Sequence, residues 1–278
     1  MSRLEVLCAT MHQTDFSKIE EMNIKSDVVF ANQSDHEGYD EITFDGYRAR
    51  MVTTSLRGVG KNRNIALLYA DSEIGLLADD DVRYADNYVE TVCGAFNEIP
   101  DADVIIFNIY STSEHIDRKP TQIKKRGRLN KLSRNPFGGP RISFRISSVK
   151  KANLWFTLLF GGGCLFSSGE DSLWLRNALH KGLKIYKYPK TIGSVSMEES
   201  SWFNGFDEKL YYGKGAYYKA SSPVLFLLWI LYFAFRTRKN SDLDFGKRLL
   251  WMRNGAEGYK SLISYDEWKN SVGESKSL

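Results

Sequence analysis

A five-residue apolar run, Ile74-Gly75-Leu76-Leu77-Ala78, ends abruptly in three aspartates, Asp79, Asp80 and Asp81. A run this short reads as a buried strand of a parallel sheet rather than as a helix. Its acidic end then falls where such a sheet opens into a crevice, and open α/β sheets bind their ligands there. Side chains alternate along an extended chain, so Asp79 and Asp81 are expected on one side and Asp80 on the other. Three like charges this close repel unless a cation or hydrogen bonds hold them. A hard divalent ion such as Mg²⁺ or Mn²⁺ takes carboxylate oxygens together with phosphate oxygens. A solvated acidic turn capping a helix that starts near Ala85 is the competing reading.

The rest of the chain supplies a sheet for that strand. Leu4 to Ala9 predicts a first strand, Phe16 to Met22 a short helix, and Asp27 to Ala31 a second strand ending in Asn32-Gln33-Ser34-Asp35. Polar residues at a strand end face the same crevice, where Asn and Asp suit the edge of a base or a ribose hydroxyl. Arg50 to Thr53 reads as a third strand. It is followed by Ser55-Leu56-Arg57-Gly58-Val59-Gly60-Lys61-Asn62-Arg63-Asn64, which opens a helix with Ile65, Leu68 and Tyr69 as its expected apolar side. Glycines and cations at a helix entrance form a plausible phosphate site, because free N–H groups and the positive dipole end converge there. Helical spacing returns from Asp86 to Ile99, with Tyr88, Val89, Val92 and Phe96 inward, and Val104 to Tyr110 is another strand. No internal repeat is visible, and the succession predicts a single α/β sheet flanked by helices.

Charge is unevenly distributed. Arg118 to Lys151 holds twelve Lys or Arg and no acid, leaving 26 basic against 34 acidic residues elsewhere, although the net charge is only +4. The stretch reads as a long basic connection inserted in the sheet domain, suited to anions. It lacks the aromatic interleaving of a nucleic-acid binder, so no nucleic-acid partner is expected. A phosphorylated substrate or a negative membrane surface fits it better, with a solvated loop as the bland alternative. The cysteines, Cys8, Cys93 and Cys164, are far apart and free of CxxC pairing, which suggests neither a disulfide framework nor zinc. Met1 to Cys8 carries no long apolar signal region, and a reduced cytoplasmic location is expected.

Farther on, Phe160-Gly161-Gly162-Gly163-Cys164 runs through Ser168-Gly169 into Glu170-Asp171, which starts a helix containing Leu173, Trp174, Leu175, Ala178 and Leu179. Glycine-rich backbone allows a bulky ligand to approach, so Gly162 and Gly163, with Trp174, are candidate acceptor contacts. A carboxylate at the helix start is either a cap or, if it faces the crevice, a group able to take a proton from a hydroxyl.

Taken together, Asn-Gln-Ser-Asp after the second strand, the Gly-x-Gly-Lys-x-Arg-Asn helix entrance, the strand ending in Asp-Asp-Asp, and Gly-Glu-Asp some ninety residues later resemble the family-2 glycosyltransferases of GT-A fold over roughly residues 1 to 190. The resemblance implies a Rossmann-like mixed sheet that binds a nucleotide-sugar donor and inverts the transferred sugar. Asp79 and Asp81 then stand at the DxD motif and hold Mn²⁺ or Mg²⁺, with Asp80 beside the donor. Asp171 matches the catalytic base, with Glu170 next to it. Thr10, Asn32 and Asp35 match positions that hold the base and ribose; Lys61, Arg63 and Asn64 match the helix entrance near the nucleotide. Many relatives add a metal-binding histidine past the catalytic helix. Here His12, His36, His115 and His180 all lie outside Gly193 to Phe203, so Glu198, Glu199 or water is left to substitute, or this segment acts as a flap.

Residues 1–203 are therefore expected to form the catalytic domain, with 118–151 as its insertion, and 204–278 a helical region. Within the latter, Val224 to Phe235 is apolar on every side, yet twelve helical residues span only about 18 Å, short of a bilayer core of roughly 30 Å. Arg236, Arg238 and Lys239 follow it. A buried helix is possible on this pattern; a helix lying in one leaflet beside anionic lipid suits it as well. The resemblance then suggests a peripheral enzyme on the inner face of a bacterial cell membrane. Its acceptor would be a saccharide, lipid-linked, in surface-polysaccharide synthesis. A nucleotidyltransferase and a non-catalytic membrane-attached sugar-binding subunit are the alternatives; the first strand-helix turn, Thr10 to Asp15, lacks the glycine- and lysine-rich signature of the former.

Overall fold

The computed structural model describes residues 3–112, 121–131, 137–195 and 205–274. The chain divides into two compact units, Met1–Thr157 with Glu170–Glu199, and Leu158–Gly169 with Ser200–Leu278.

The first unit is built on β1 (Leu4–Met11), β2 (Asp27–Gln33), β3 (Gly38–Phe44), β4 (Tyr47–Thr54), β5 (Ile74–Asp79), β6 (Val82–Tyr84), β7 (Val104–Ser111), β8 (Gly127–Arg128), β9 (Ile142–Arg145) and β10 (Ile185–Val195). They form one mixed sheet in the order β3-β4-β2-β1-β5-β9-β7-β10-β6, with β8 against β10. The stretch β4-β2-β1-β5 is parallel. Its strands are apolar on both faces because both are covered. Val6 and Cys8 of β1 and Leu76 and Ala78 of β5 pack into one core, which also takes Val92 and Phe96. Leu7 and Leu77 pack into the other, with Ala66, Leu67, Trp174 and Leu175. The helices of this unit are α1 (Lys18–Glu21), α2 (Val59–Tyr69), α3 (Tyr88–Glu98), α4 (Ile146–Lys151) and α5 (Glu170–His180).

Two expectations change here. The apolar side of α2 is Ala66 and Leu67, with Gly60, Asn62 and Arg63, whereas Leu68 and Tyr69 are exposed. The inward face is set by close approach to backbone: a Cβ on Gly60 would lie 2.3 Å from the Thr157 carbonyl. The basic stretch is not a simple insertion either. Its β9 is antiparallel between β5 and β7, because Ile142 and Phe144 among the cations are buried. Three of those cations staple carbonyls of the sheet domain instead of meeting anions. Buried Arg141 donates to Phe107 O (2.9 Å) and Thr121 O (2.7 Å), Arg145 to Ala102 O (3.0 Å), and Lys150 to Ala70 O (2.7 Å). Burial pulls the Arg141 guanidinium down to about 10. Arg118, Lys119 and Arg134 lie outside the described residues, as do Glu198 and Glu199.

The second unit holds α6 (Glu208–Ser221), α7 (Phe226–Arg236), α8 (Phe245–Ser261) and α9 (Tyr265–Glu274). Helices α6 and α8 meet backbone to backbone. A Cβ on Gly215 would lie 1.9 Å from Met252 O, and one on Gly255 1.9 Å from Tyr212 O, so both contacts demand glycine. The segment 158–169 joins this unit as a closed loop, with Gly161 N donating to Phe166 O (2.8 Å) and the Phe160 and Phe166 rings 5.0 Å apart. Gly162 and Gly163 therefore sit in that loop.

Candidate active site

The carboxyl ends of β1, β2 and β5 and the first turns of α2 and α5 bring most of the sequence-predicted residues together within the first unit. At the centre is Arg63, 2% exposed. Its Nη2 donates to Asp79 Oδ1 at 3.0 Å, while Nη1 donates to Asp171 and lies 3.5 Å from Glu170 Oε1. One guanidinium thus joins the acid that ends β5 to the two acids that open α5, 108 residues away in the chain. The Arg63 plane also lies over the Phe156 ring, 5.4 Å from its centroid. The second oxygen of Asp171 accepts from the Gly139 N–H at 2.7 Å. A Cβ at Gly139 would come within 2.4 Å of Arg63 Nη2, so a side chain there would have to displace the guanidinium.

Electrostatics in this cluster are strained toward the acids. Burial pushes the Asp171 carboxyl up, Arg63 pulls it back, Glu170 and Asp79 raise it again, and it rests at about 7. A carboxylate that titrates near neutrality can both take and release a proton at the pH of the cell. Asp81 lies in the turn after β5, and crowding by protein followed by repulsion from Asp79 and Asp80 lifts it to about 6. Asp80 accepts from Thr10 Oγ1 at 2.5 Å. Arg63 itself is held firmly charged: burial disfavours the cation, and the attraction of Asp171, Asp79 and Glu170 more than offsets it.

Several side chains carry different duties from those expected. Asn32 is buried, and its amide closes a loop by accepting from Gln13 N (3.0 Å) and donating to Gln13 O (2.9 Å) and Thr53 Oγ1 (3.1 Å). Asn64 pairs with the backbone of Phe156 through both amide ends, at 3.0 and 2.8 Å. Neither amide is free to read a base. Arg63 neutralises acids rather than standing open to phosphate. Trp174 is 1% exposed, between Phe144 and Phe156 at ring distances of 5.4 and 5.3 Å, so it is core rather than an acceptor surface. Asp35 is exposed, 3.1 Å from His36 Nδ1. Lys61 is half-buried at the entrance of α2 and, among the described residues, makes no ion pair. Sequence reasoning missed Gln33, whose Oε1 accepts from Gly58 N at 2.8 Å and ties that entrance to β2, and Gly139. A polar side chain ending a buried strand was the available signal for Gln33; nothing local marks Gly139.

A divalent ion fits this donor set in part. Asp81 and the outer oxygen of Asp79 are hard donors in a place where negative charge is in excess. Among the described residues no three His, Cys, Asp or Glu converge as a cage. Mg²⁺ or Mn²⁺ held by one or two carboxylates with substrate phosphates completing the shell would not require such a cage.

A mixed α/β sheet flanked by helices, with paired acids at its carboxyl edge, is the GT-A fold. The model of glycosyl transferase family 2 matches residues 27–152 of this chain. Among solved structures, the S. aureus TarS fragment 1–349 in complex with UDP-GlcNAc superposes with a TM-score of 0.59 at 13% identity, covering 95% of this chain and 93% of that one. The same fragment with UDP gives 0.55 at 13% identity over the same shares. The longer S. aureus TarS structure gives 0.55 at 15%, with 95% of this chain matched to 44% of that one. At these identities the likeness concerns the fold. No curated protein matches.

Proposed function

We propose that this chain is an inverting glycosyltransferase that moves a sugar from a nucleoside-diphosphate donor to a hydroxyl of a saccharide acceptor, lipid-linked, on the inner face of a bacterial cell membrane during surface-polysaccharide synthesis. The observation that carries the transfer chemistry is the Arg63 bridge between Asp79 and Asp171. It sets a donor-side acid and an acceptor-side acid within one guanidinium of each other. The family match ends at residue 152, so the role of Asp171 rests on this geometry. A uridine diphosphate sugar is the first donor to try, because the TarS structure of like fold was solved with UDP-GlcNAc.

In this reading Asp171 takes the proton of the acceptor hydroxyl. The oxygen attacks the anomeric carbon from the face opposite the diphosphate. The bond from that carbon to the diphosphate oxygen breaks, its electron pair leaves with the diphosphate, and the configuration inverts. Gly139 N–H and Arg63 each hold one oxygen of Asp171, fixing the carboxylate while leaving lone pairs for the incoming alcohol. Lys61 is placed to meet phosphate. Asp81 and Asp79 would hold Mn²⁺ or Mg²⁺, which when bound offsets charge on the leaving diphosphate. Asp80, positioned by Thr10, borders the donor.

A thermal-shift screen of nucleotide-sugars with and without Mn²⁺ tests the donor half. A ligand at a hundred times its Kd stabilises the folded state by about 2.7 kcal/mol. One nucleotide-sugar should raise the melting temperature selectively and more strongly with the ion. No shift from any of them, with or without Mn²⁺, would remove the donor assignment.

A further inference from the structure

Helix α7 turns Phe226, Ile230 and Ala234, each four residues apart, into the core of the second unit, where Tyr211 and Met252 meet them. Its other side has no cover. Leu228 is 65% exposed, Leu231 45% and Phe235 60%, at the spacing of one helical stripe, with Leu227 at 56% beside them and Val224, in the turn before the helix, at 94%. Contiguous apolar surface of this kind on a soluble unit marks a docking face. No described helix is long and apolar enough to cross a membrane.

Charge identifies the occupant. From Lys209 to Ser241 the chain has six cations, Lys209, Lys214, Lys219, Arg236, Arg238 and Lys239, and no Asp or Glu. The cations keep company with the apolar residues: Arg238 lies over the Phe235 ring at 4.1 Å, and Lys219 Nζ is 5.7 Å from the Phe226 centroid. Arg236, Arg238 and Lys239 are all exposed. The acids that flank this region are Asp207, which caps α6 through Leu210 N, and Glu208, 3.2 Å from Lys269 Nζ, on one side; Asp242 and Asp244, followed by Lys247 and Arg248, on the other; and Asp266 of α9, paired with Lys209 at 3.3 Å. A second copy of this chain, related by a two-fold axis, would set like charges against each other. An anionic lipid surface satisfies the apolar stripe and the cations at once.

We propose that α7 docks this chain on anionic lipid, lying in the plane of the surface with Leu228, Leu231 and Phe235 among the acyl chains and Arg236, Arg238 and Lys239 at the headgroups. The proposal gives the membrane part of the transferase reading a physical element. It is tested without donor, acceptor or turnover, so either can fail while the other stands.

The test is co-sedimentation of the full chain with phosphatidylcholine vesicles, plain or with about one-third phosphatidylglycerol. Binding to the anionic vesicles that weakens as salt is raised is expected. The variant Leu228→Ser, Leu231→Ser, Phe235→Ser should lose more than about ten-fold in affinity, with an unchanged melting temperature because these side chains are exposed. The variant Arg236→Gln, Arg238→Gln, Lys239→Gln should lose roughly five-fold per cation on anionic vesicles and nothing on neutral ones. If the serine variant misfolds, this second variant decides alone. Equal pelleting with and without vesicles, or variants that bind like the parent, would overturn the proposal. So would a concentration-dependent dimer abolished by the serine substitutions, which would put a second copy on this face.

Discussion

Two arginines are buried in the sheet unit, Arg50 on β4 and Arg63 in α2, and their surroundings differ. Arg50, 5% exposed, pairs with Glu5, which is fully buried in β1 and also accepts from Asp71 N (3.0 Å) and Ser72 N (3.3 Å). Around that pair Arg3 meets Asp27 at 2.6 Å, and Arg48 and Arg50 both reach Asp71, so three cations answer three acids. Asp27 stays below its usual range: burial pushes it up, but the Arg48 N–H and Arg3 outweigh that. Among the described residues Arg63 pairs with Asp79, Glu170 and Asp171 at once, with Asp80 and Asp81 next to Asp79 in the chain. The first arrangement is closed and structural. Among the described residues the second is short of positive charge; burial first, and that deficit second, leave Asp171 at about 7 and Asp81 at about 6.

The sharpest way to break the contrast is Asp171→Asn. Removing a general base costs about 10² to 10⁴ in rate, and the isosteric amide keeps the cluster filled. Transfer should fall by that factor, measured as nucleoside diphosphate released with acceptor present, while the donor-induced rise in melting temperature persists. Turnover at the parental rate would take the base role from Asp171.

Next is the structural pair. Arg50→Met leaves Glu5 buried without its cation, and breaking a buried pair on one side costs about 3 to 5 kcal/mol. Urea unfolding should show that loss, and any folded fraction should still answer to donor. Arg63→Met should lose a comparable amount and the donor response as well. If both variants behaved alike toward donor, the distinction between the two arginines would dissolve.

How much of this was visible beforehand follows from what is local. The acids at the end of β5 and the start of α5 each follow an apolar run or open one, and period and position expose them. The Arg63 bridge joins positions 63, 79 and 171, and no local pattern reports so distant a pairing. The backbone contacts of Asn32 and Asn64 were not legible because a polar residue at a strand end or helix entrance looks the same in sequence whether it faces a ligand or a neighbouring backbone. β3 escaped notice because its residues are exposed on both sides almost throughout, so it lacks the alternation of a half-buried strand. β9 hid among cations whose duty is to cap carbonyls.

A smaller effect probes packing at the α2 entrance. Gly60→Ala places a methyl 2.3 Å from Thr157 O, and backbone cannot yield as a flexible side chain does. Overpacking of this kind costs about 1 to 3 kcal/mol. Gly46→Ala is a poor control despite open space, because φ there is +82°; Gly94→Ala in α3, with open space and helical φ, should be neutral or stabilising. Thermal melts of the two helical variants separate steric demand from backbone entropy.

The finest test titrates the deficit itself. A base at about 7 must lose its proton to act, so kcat/KM should rise with pH through about 7. Stability runs the other way. Asp171 holds its proton more tightly folded than unfolded, so its contribution is present below the unfolded value near 4 and is lost as pH rises through about 7. Glu170 is one of the charges that raises Asp171, so Glu170→Gln should move the rising limb to lower pH and reduce the loss of stability between these values. The rate at pH 8 should change by less than about ten-fold if Glu170 acts only through its charge. A limb that stays at about 7 in Glu170→Gln would remove Glu170 from the causes of the raised value of Asp171 and leave burial and Asp79 to account for it.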